Sequence, residues 1–555
     1  MNEARKSNEV FNQPLPLIGY NLYLTDATLV AAMQREGAGW AEGQLRELGE
    51  FLGTEEAQRW ATEANENEPV LHTHDRFGNR RDEVEFHPAW HHLMRTSIAH
   101  RIHSLPWAEP RQGASVARAA LLMLTAQNES GHTCPVSMTY SAVAALRADP
   151  GLAAQWEALI LSASYDPRFR PATEKSGVLV GMGMTEKQGG SDVRANTTRA
   201  ERIGGGREYL ITGHKWFCSA PMCDAFLILA QAPKGLSCLL LPRWTPAGDR
   251  NGFHIQRLKR KMGNRSNASS EVEFAGAWAC LVGEEGRGVQ TIIDMVQHTR
   301  LDCAIAAAGL MRQAAVQAVH HARHRKAFGK LLVEQPLMRN VLADVILESN
   351  AATLLMARVA RAFDARETDE SERGFGRIAT AISKYWLCKR APVLVGEALE
   401  CLGGNGYVEE SAMPRLYREA PLYSIWEGSG NVICLDILRA IAREPNALDA
   451  VVREIRLGVG GNRHLDDYIS KMEAEALEQT TKKSAESAER EARRLAEKLA
   501  LALQASLMVR FSSSAEADAF CASRIGGNYG HAFGTLPYQA DVQSILDGVC
   551  KNLPL

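Results

Sequence analysis

Residues 226–241 read Phe226-Leu227-Ile228-Leu229-Ala230-Gln231-Ala232-Pro233-Lys234-Gly235-Leu236-Ser237-Cys238-Leu239-Leu240-Leu241. Two apolar runs of strand length flank a turn bearing Pro and Gly, the pattern of two buried strands joined by a tight connection. Upstream, Glu208-Tyr209-Leu210-Ile211-Thr212 follows Gly204-Gly205-Gly206, a turn whose residues are free to take positive φ. Downstream, Glu271-Val272-Glu273-Phe274 alternates as an edge strand does. These segments predict a small β-domain over 181–284.

Both flanks read as helix. From about 28 to 180 apolar positions recur at three and four, as in Gln44–Leu52 and Val116–Gln127, with breakers at Gly53, Pro106, Pro135 and Pro150. After Gly288, long helices are expected at about 289–326, 334–365, 376–402 and 430–443. Leu301–Ala322 is apolar on more than one side, which implies a helix buried in a bundle. Lys471–Arg510 is expected to form one solvated amphipathic helix, docked by a stripe of Ala488, Ala492, Leu495, Leu499, Leu503 and Leu507. After Phe511, Gly526-Gly527-Asn528-Tyr529-Gly530 and Pro537 predict a looser connection and a short terminal helix.

The predicted class is mostly α with a small central β-domain. Its expected parts are an N-terminal helical domain (1–180), the β-domain (181–284), a four-helix bundle (285–445) and a helical extension (446–555). Strands do not alternate with helices, which argues against a doubly wound dinucleotide fold.

The 555 residues carry a formal net charge of -2, with 45% hydrophobic and 23% charged residues. That balance gives no global pull toward nucleic acid or anionic membrane. A polar N-terminus without a following apolar run, and no stretch near the ~20 apolar residues of a span, predict a cytoplasmic chain with no signal peptide and no membrane partner. The 11 cysteines are scattered singly without a C-x-x-C pair, so reduced thiols and no metal site are expected. His87, His91 and His92 lack a Cys or carboxylate at ligand spacing and read as packing residues.

Three segments could carry chemistry. In Ile425-Trp426-Glu427-Gly428-Ser429-Gly430-Asn431 a single carboxylate stands among apolar neighbours. Desolvation raises the pKa of such a group and makes it a workable general base; the alternative is a negative charge at a helix start. Gly183-Met184-Thr185-Glu186-Lys187-Gln188-Gly189-Gly190-Ser191-Asp192-Val193 sets hydroxyls around glycines that let a backbone approach a flat ligand or a diphosphate. Lys215-Trp216-Phe217-Cys218-Ser219 could present an aromatic and a hydroxyl from a strand. No G-x-G-x-x-G opens a helix after a strand; Gly283–Gly288 reads as a turn, and Gly403-Gly404-Asn405-Gly406 as a helix cap or a ligand contact.

TEKQGGSDV at 185–193, KWFCS at 215–219, RKAFGK at 325–330, LGGNGY at 402–407 and IWEGSGN at 425–431 together resemble the acyl-CoA dehydrogenase family, in its order and spacing. NQPLPLIGYNLYL at 12–24, FHPAWHHLM at 86–94 and the C-terminal extension resemble its AidB branch, flavoproteins of the bacterial adaptive response to DNA alkylation. The resemblance implies FAD, lined by Met182, Met184, Thr185, Gly190, Ser191, Trp216, Phe217, Cys218 and Ser219, with Trp426, Gly428 and Ser429 beside it. It also implies that Arg325, Phe328, Gly403 and Gly404 reach FAD, the first two that of a neighbouring subunit in a homotetramer. Glu427 falls on the general base for α,β-dehydrogenation of an acyl-CoA, and Arg300 is a candidate substrate contact. Three positions depart from the family pattern: Glu400 replaces a Gln, Gln297 replaces an Asp, and Thr299 stands where isovaleryl-type members place an alternative base.

The AidB likeness further implies binding of double-stranded DNA and protection against alkylation. The alternative is a metabolic dehydrogenase of short or branched acyl-CoA without DNA binding. Over 451–555, 13 Lys and Arg face 14 Asp and Glu, so no basic bias marks the extension. Lys483, Arg490 and Arg494 lie near one helical face and are the candidate phosphate contacts; Glu486 and Glu489, one turn before Arg490 and Arg493, equally fit a salt-bridged solvated helix. Arg257-Leu258-Lys259-Arg260-Lys261 with Arg265 is a second basic cluster.

Overall fold

The computed structural model describes residues 10–482 and 484–554, the side chains of 476–482 excepted. Its β-domain comprises β3 (Val180–Gly183), β4 (Arg199–Arg202), β5 (Glu208–Ser219), β6 (Ala225–Ala232), β7 (Gly235–Pro242), β8 (Phe253–Leu258) and β9 (Ser269–Val282). They run in the order β3-β6-β4-β5-β9-β7, with β8 on β9 and a further β6–β7 pairing that closes the sheet into a small barrel. The 226–241 stretch is that closing hairpin: Leu227 pairs with Leu240, and Ala225–Ala230 is buried throughout. Burial on both faces explains why these strands are continuously apolar.

The N-terminal part is helical except for a hairpin that the helical reading did not anticipate, β1 (Val70–His74) and β2 (Arg80–Glu85). Its turn is built by Asp75, whose carboxylate accepts the Phe77 and Asn79 N–H groups, and by Gly78 at φ 84°. The hairpin docks on the barrel, where Ile255 N–H donates to Asp82 Oδ1 at 2.9 Å.

Four helices, Gly288–His324, Pro336–Ala365, Glu370–Cys401 and Gly430–Arg443, form the bundle. Pro336–Ala365 is long and apolar enough to cross a membrane on length and composition, yet it lies within the bundle and is buried along most of its length.

The last hundred residues complete this core rather than append to it. Lys471–Arg510 is not one helix but two, Arg463–Lys482 and Ala485–Phe511. The second starts where the Ser484 hydroxyl caps Ser487 N–H, an effective helix start. The predicted stripe is buried from Ala492 to Leu507, but Leu499–Met508 is buried on every side, so one-faced docking fails there. One apolar cluster runs from Leu17 to Leu553 through the N-terminal domain, bundle and extension, while the barrel holds a second. Nor is the tail loose. Arg524 reaches Asp344 at 2.5 Å and Glu348 at 2.9 Å, Gly534 N–H donates to Asp344 Oδ2, and Phe533 and Leu536 are buried.

Candidate active site

Glu427 lies in a short segment between the turn Ala420–Ser424 and the helix beginning at Gly430, with Ser429 extended before it. It is therefore outside the helix start. Its φ is +58° and that of Gly428 is +102°. A non-glycine residue in this region carries strain that persists only when its surroundings hold it there. Four contacts do so: Thr299 Oγ1 donates to Glu427 Oε2 at 2.7 Å, Arg300 Nε to Glu427 O at 3.1 Å, Lys384 Nζ to Gly428 O, and Arg493 Nε to Asn431 Oδ1 at 2.8 Å. Burial pushes the Glu427 carboxyl above the ordinary range, while the Thr299 hydroxyl and the charges of Arg300 and Lys384 pull it partly back.

Arg300, the candidate substrate contact, is held by partners within the protein. It is buried, bonded to the Glu427 carbonyl and paired with Asp436 at 2.7 Å, a carboxylate that Arg377 also holds. Arginine is suited to such multi-point bracing because its fork presents several fixed donors.

The second wall is made by the 183–193 loop lying along β5. Trp216 N–H donates to Thr185 O at 2.8 Å. Beneath it, Glu186 and Lys215 form a fully buried pair at 2.9 Å, with Thr197 N–H and Gln188 Nε2 also donating to Glu186 and Lys215 Nζ to Leu229 O. Burial raises the Glu186 carboxyl, but the hydrogen bonds from Thr198 and Thr197 and the charge of Lys215 outweigh it and hold it well below its ordinary value. Gly190 packs where a Cβ would stand 2.4 Å from Thr185 Oγ1. Sequence reasoning missed this ion pair, although both residues lay inside the quoted motifs.

On β5 the pairing with β9 slips between Lys215 and Cys218, a bulge that leaves both of those residues buried and both Trp216 and Phe217 on the outside. Phe217 is 52% exposed, and Lys259 Nζ stands 3.4 Å from the Trp216 ring centroid and 4.7 Å from that of Phe217. Cys218 turns its side chain into the barrel core, where burial drives its thiol up to about 12, so the thiol does not share the open side with Phe217. Ser219 returns to the open side, half-buried, 3.5 Å from Ser269 Oγ. Met182 and Met184 are half-buried, Thr185 likewise, and Ser191 and Ser429 are exposed.

The remaining predicted positions gather elsewhere. Lys384, which touches the Glu427 loop, and Gly403 stand 19 residues apart on one helix and its cap, about 28 Å at 1.5 Å per residue. Gly403 stops that helix with φ +59°, and Gly404 opens the next turn. Asn405 bonds Gln13, Arg325 donates to Asn12 O, and Asn12 Nδ2 donates to Lys326 O. Phe328 forms the tip of the 326–331 hairpin at φ +51° and is 99% exposed. Arg325, Phe328, Gly403 and Gly404 thus form one surface locus, remote from Glu427 within the chain.

Of the basic clusters, Arg257 and Lys259 share Glu271 at 2.6 Å each, Lys261 donates to Asn267 O, and Arg265 lies 3.9 Å from Glu68. Arg490 and Arg494 are exposed, while Lys483 lies outside the described residues. His87 caps a helix, His91 bonds the Tyr165 hydroxyl and His92 stacks on Trp60.

Known families match the chain in the same order as this geometry. The acyl-CoA dehydrogenase middle domain matches residues 181–277 and its C-terminal domain residues 286–442, after the N-terminal domain of adaptive response protein AidB over 12–167. The chain is 46% identical over 518 residues to AidB of Escherichia coli (strain K12), covering 93% of this chain and 94% of that one. The chain belongs to the acyl-CoA dehydrogenase family. It is also 30% identical over 445 residues to acyl-CoA dehydrogenase family member 11 of Caenorhabditis elegans, covering 77% and 71% of the two chains. A crystal structure of Caenorhabditis elegans ACDH-11 with C11-CoA superposes with a TM-score of 0.84 at 25% identity, over 100% of this chain and 95% of that one.

Membership of this acyl-CoA dehydrogenase family makes FAD the cofactor. The residues present fit it: Trp426, half-buried against both cores, has an indole N–H without a partner, and the bulge offers an exposed aromatic beside the Ser219 hydroxyl. Met182, Met184, Thr185, Ser191, Phe217 and Ser219 would hold the flavin.

Proposed function

We propose that the protein performs α,β-dehydrogenation of an acyl-CoA, with Glu427 taking the α-proton. The observation that carries this is Glu427 itself, a raised carboxyl held by Thr299 in a strained loop that Arg300 and Lys384 lock from behind. When bound, FAD supplies the acceptor for the β-hydride. Chain groups do the rest: Glu427 accepts the proton, Thr299 orients it, and the Glu186–Lys215 pair fixes the flavin wall. The C11-CoA complex of ACDH-11 supports an acyl-CoA ligand. The surface locus of Phe328, Arg325, Gly403 and Gly404 supports a tetramer in which it completes a neighbour's FAD site. Anaerobic mixing of holo-protein with a series of acyl-CoAs tests the reading, with bleaching of the flavin absorbance expected; no bleaching with any chain length overturns it.

A second activity, binding of duplex DNA in protection against alkylation, is supported by the AidB similarity and by exposed Arg490 and Arg494 on one helix. Gel shift against salt tests it, and absence of binding at low salt removes it.

A further inference from the structure

Residues 12–18 form a strap across the end of the Gly288–His324 helix. Its later part is pinned: His320 Nε2 donates to Leu15 O at 2.9 Å and Gln58 Nε2 to Leu17 O at 2.9 Å. Ahead of these anchors Asn12 stands at φ +55°, a conformation that asparagine tolerates better than most residues. There its carboxamide pairs with both backbone groups of Lys326. Lys326 N–H donates to Asn12 Oδ1 at 2.7 Å, and Asn12 Nδ2 donates to Lys326 O at 2.9 Å. Arg325 Nη1 donates to Asn12 O at 2.5 Å. The next strap residue reaches the other half of the surface locus, where Asn405 Nδ2 donates to Gln13 Oε1 at 2.8 Å. Two adjacent residues thus clip the 326–331 hairpin to the turn at Gly403 and Gly404, across 314 and 392 residues of sequence.

The groups held in this way share a chemistry. Arg325, Lys326 and Lys330 have no carboxylate partner among the described residues, and Phe328 projects beside them, almost wholly exposed. Cations that the chain leaves unneutralised suit a diphosphate, and an exposed aromatic ring suits the face of a nucleobase. The flavin ring is served instead by the Phe217–Ser219 wall beside Glu427, from which this locus is remote within the chain. We propose that Asn12 and Gln13 are positioning residues for the cofactor of another copy of this chain. They fix the hairpin and the glycine turn relative to one another so that together they receive the adenosine-diphosphate end of its FAD. This rests on the tetramer reading above and assigns to the strap the alignment of the locus.

The test uses the full-length protein with FAD as the probe. It reads the FAD dissociation constant, the visible spectrum of the bound flavin, and sedimentation at saturating FAD. Asn12→Gly keeps the main-chain oxygen for Arg325 and takes φ +55° without strain, yet removes the carboxamide. It should weaken FAD binding about 10-fold, and Gln13→Ala, which loses one bond, about 3-fold. Asn12→Asp keeps the acceptor for Lys326 N–H and should lose less than Asn12→Gly. In all three the flavin spectrum, set at the Phe217–Ser219 wall, and the assembly should match the parent, which separates positioning from general damage. Parent affinity in both Asn12→Gly and Gln13→Ala, while Arg325→Ala loses FAD, overturns the inference and leaves the tetramer reading standing. An altered spectrum, or smaller species at saturating FAD, overturns the inference by making the strap a general support or an assembly contact. A FAD-loaded monomer of the parent, or parent affinity in Arg325→Ala, overturns the tetramer reading as well.

Discussion

Thr299 Oγ1 donates a 2.7 Å hydrogen bond to Glu427 Oε2 across 128 residues of sequence. Because the bond favours the ionised carboxyl, removing it in Thr299→Val raises the Glu427 pKa further. At ~1.5 kcal/mol for a hydrogen bond to a charged group, and ~1.4 kcal/mol per pH unit, the acid limb of flavin reduction should move up by about one unit. Stopped-flow reduction across pH 5–9 reads this, and an unmoved limb shows that the hydroxyl does not set the base.

Glu427→Gln should retain FAD yet slow flavin reduction by ~10²–10⁴-fold, the usual contribution of a general base. The strained φ makes a separate demand. Glu427→Gly and Glu427→Ala both lose the carboxylate, but only glycine relaxes at +58°. The glycine variant should be more stable than the alanine one by about 1 kcal/mol in thermal unfolding. Equal stabilities would mean that the loop relaxes without cost.

Much of this was legible beforehand. Strand runs at 226–241 and the bundle helices announced themselves because burial on all sides leaves an unbroken apolar signal. The β1–β2 hairpin did not, since Leu71, His72 and Thr73 are only half-buried and its strands are polar; Asp75 and Gly78 were the readable turn signal. The inward turn of the Cys218 side chain was not readable, because a bulge, invisible in sequence, shifts the inside-outside alternation by one residue. Arg300 looked available for a ligand until Asp436, 136 residues later, came within 2.7 Å. Glu186 and Lys215 were read as loop and strand residues, whereas only their pairing in space shows why the motif carries charge there.

Glu419 gives the fold a pH dependence. Burial, then the neighbouring charge of Glu129, push its carboxyl up to about 7, against the opposing pull of the Asn264 N–H, Arg415 and Lys261. The unfolded value is near 4.3, so the folded state holds a proton that the unfolded state releases between about pH 4 and 7. Stability from this group is full below that window and is lost as pH rises through it. Glu419→Gln should therefore raise the melting temperature at pH 8, corresponding to about 1–3 kcal/mol, and change little at pH 4. A gain of equal size at both pH values would contradict the assignment.

Removing one member of the buried pair beneath the flavin wall should be costly. Lys215→Met leaves Glu186 buried without its cation, and a loss of about 3 kcal/mol is expected, with weakened FAD retention. Calorimetry together with the flavin-to-protein absorbance ratio checks this; unchanged values would show that the amide donors to Glu186 suffice.

For DNA, contacts must be chiefly to phosphates, since no base-reading motif is present. Charge reversal at Lys483, Arg490 and Arg494 together should flatten the log–log salt dependence by about three units and leave FAD content unchanged. An unchanged slope would move the contact surface elsewhere.

The reach of Arg524 back to Glu348 sets an order of events for the newborn chain. The arginine is synthesised 176 residues after the carboxylate that it neutralises. Until it emerges from the ribosome, Asp344 on the Pro336–Ala365 helix lacks its arginine partner, and Glu348 has only Arg390, at 2.9 Å. A transcript that ends before codon 524 thus leaves a buried carboxylate without its cation, and the shortened polypeptide should be the better substrate for chaperones and proteases.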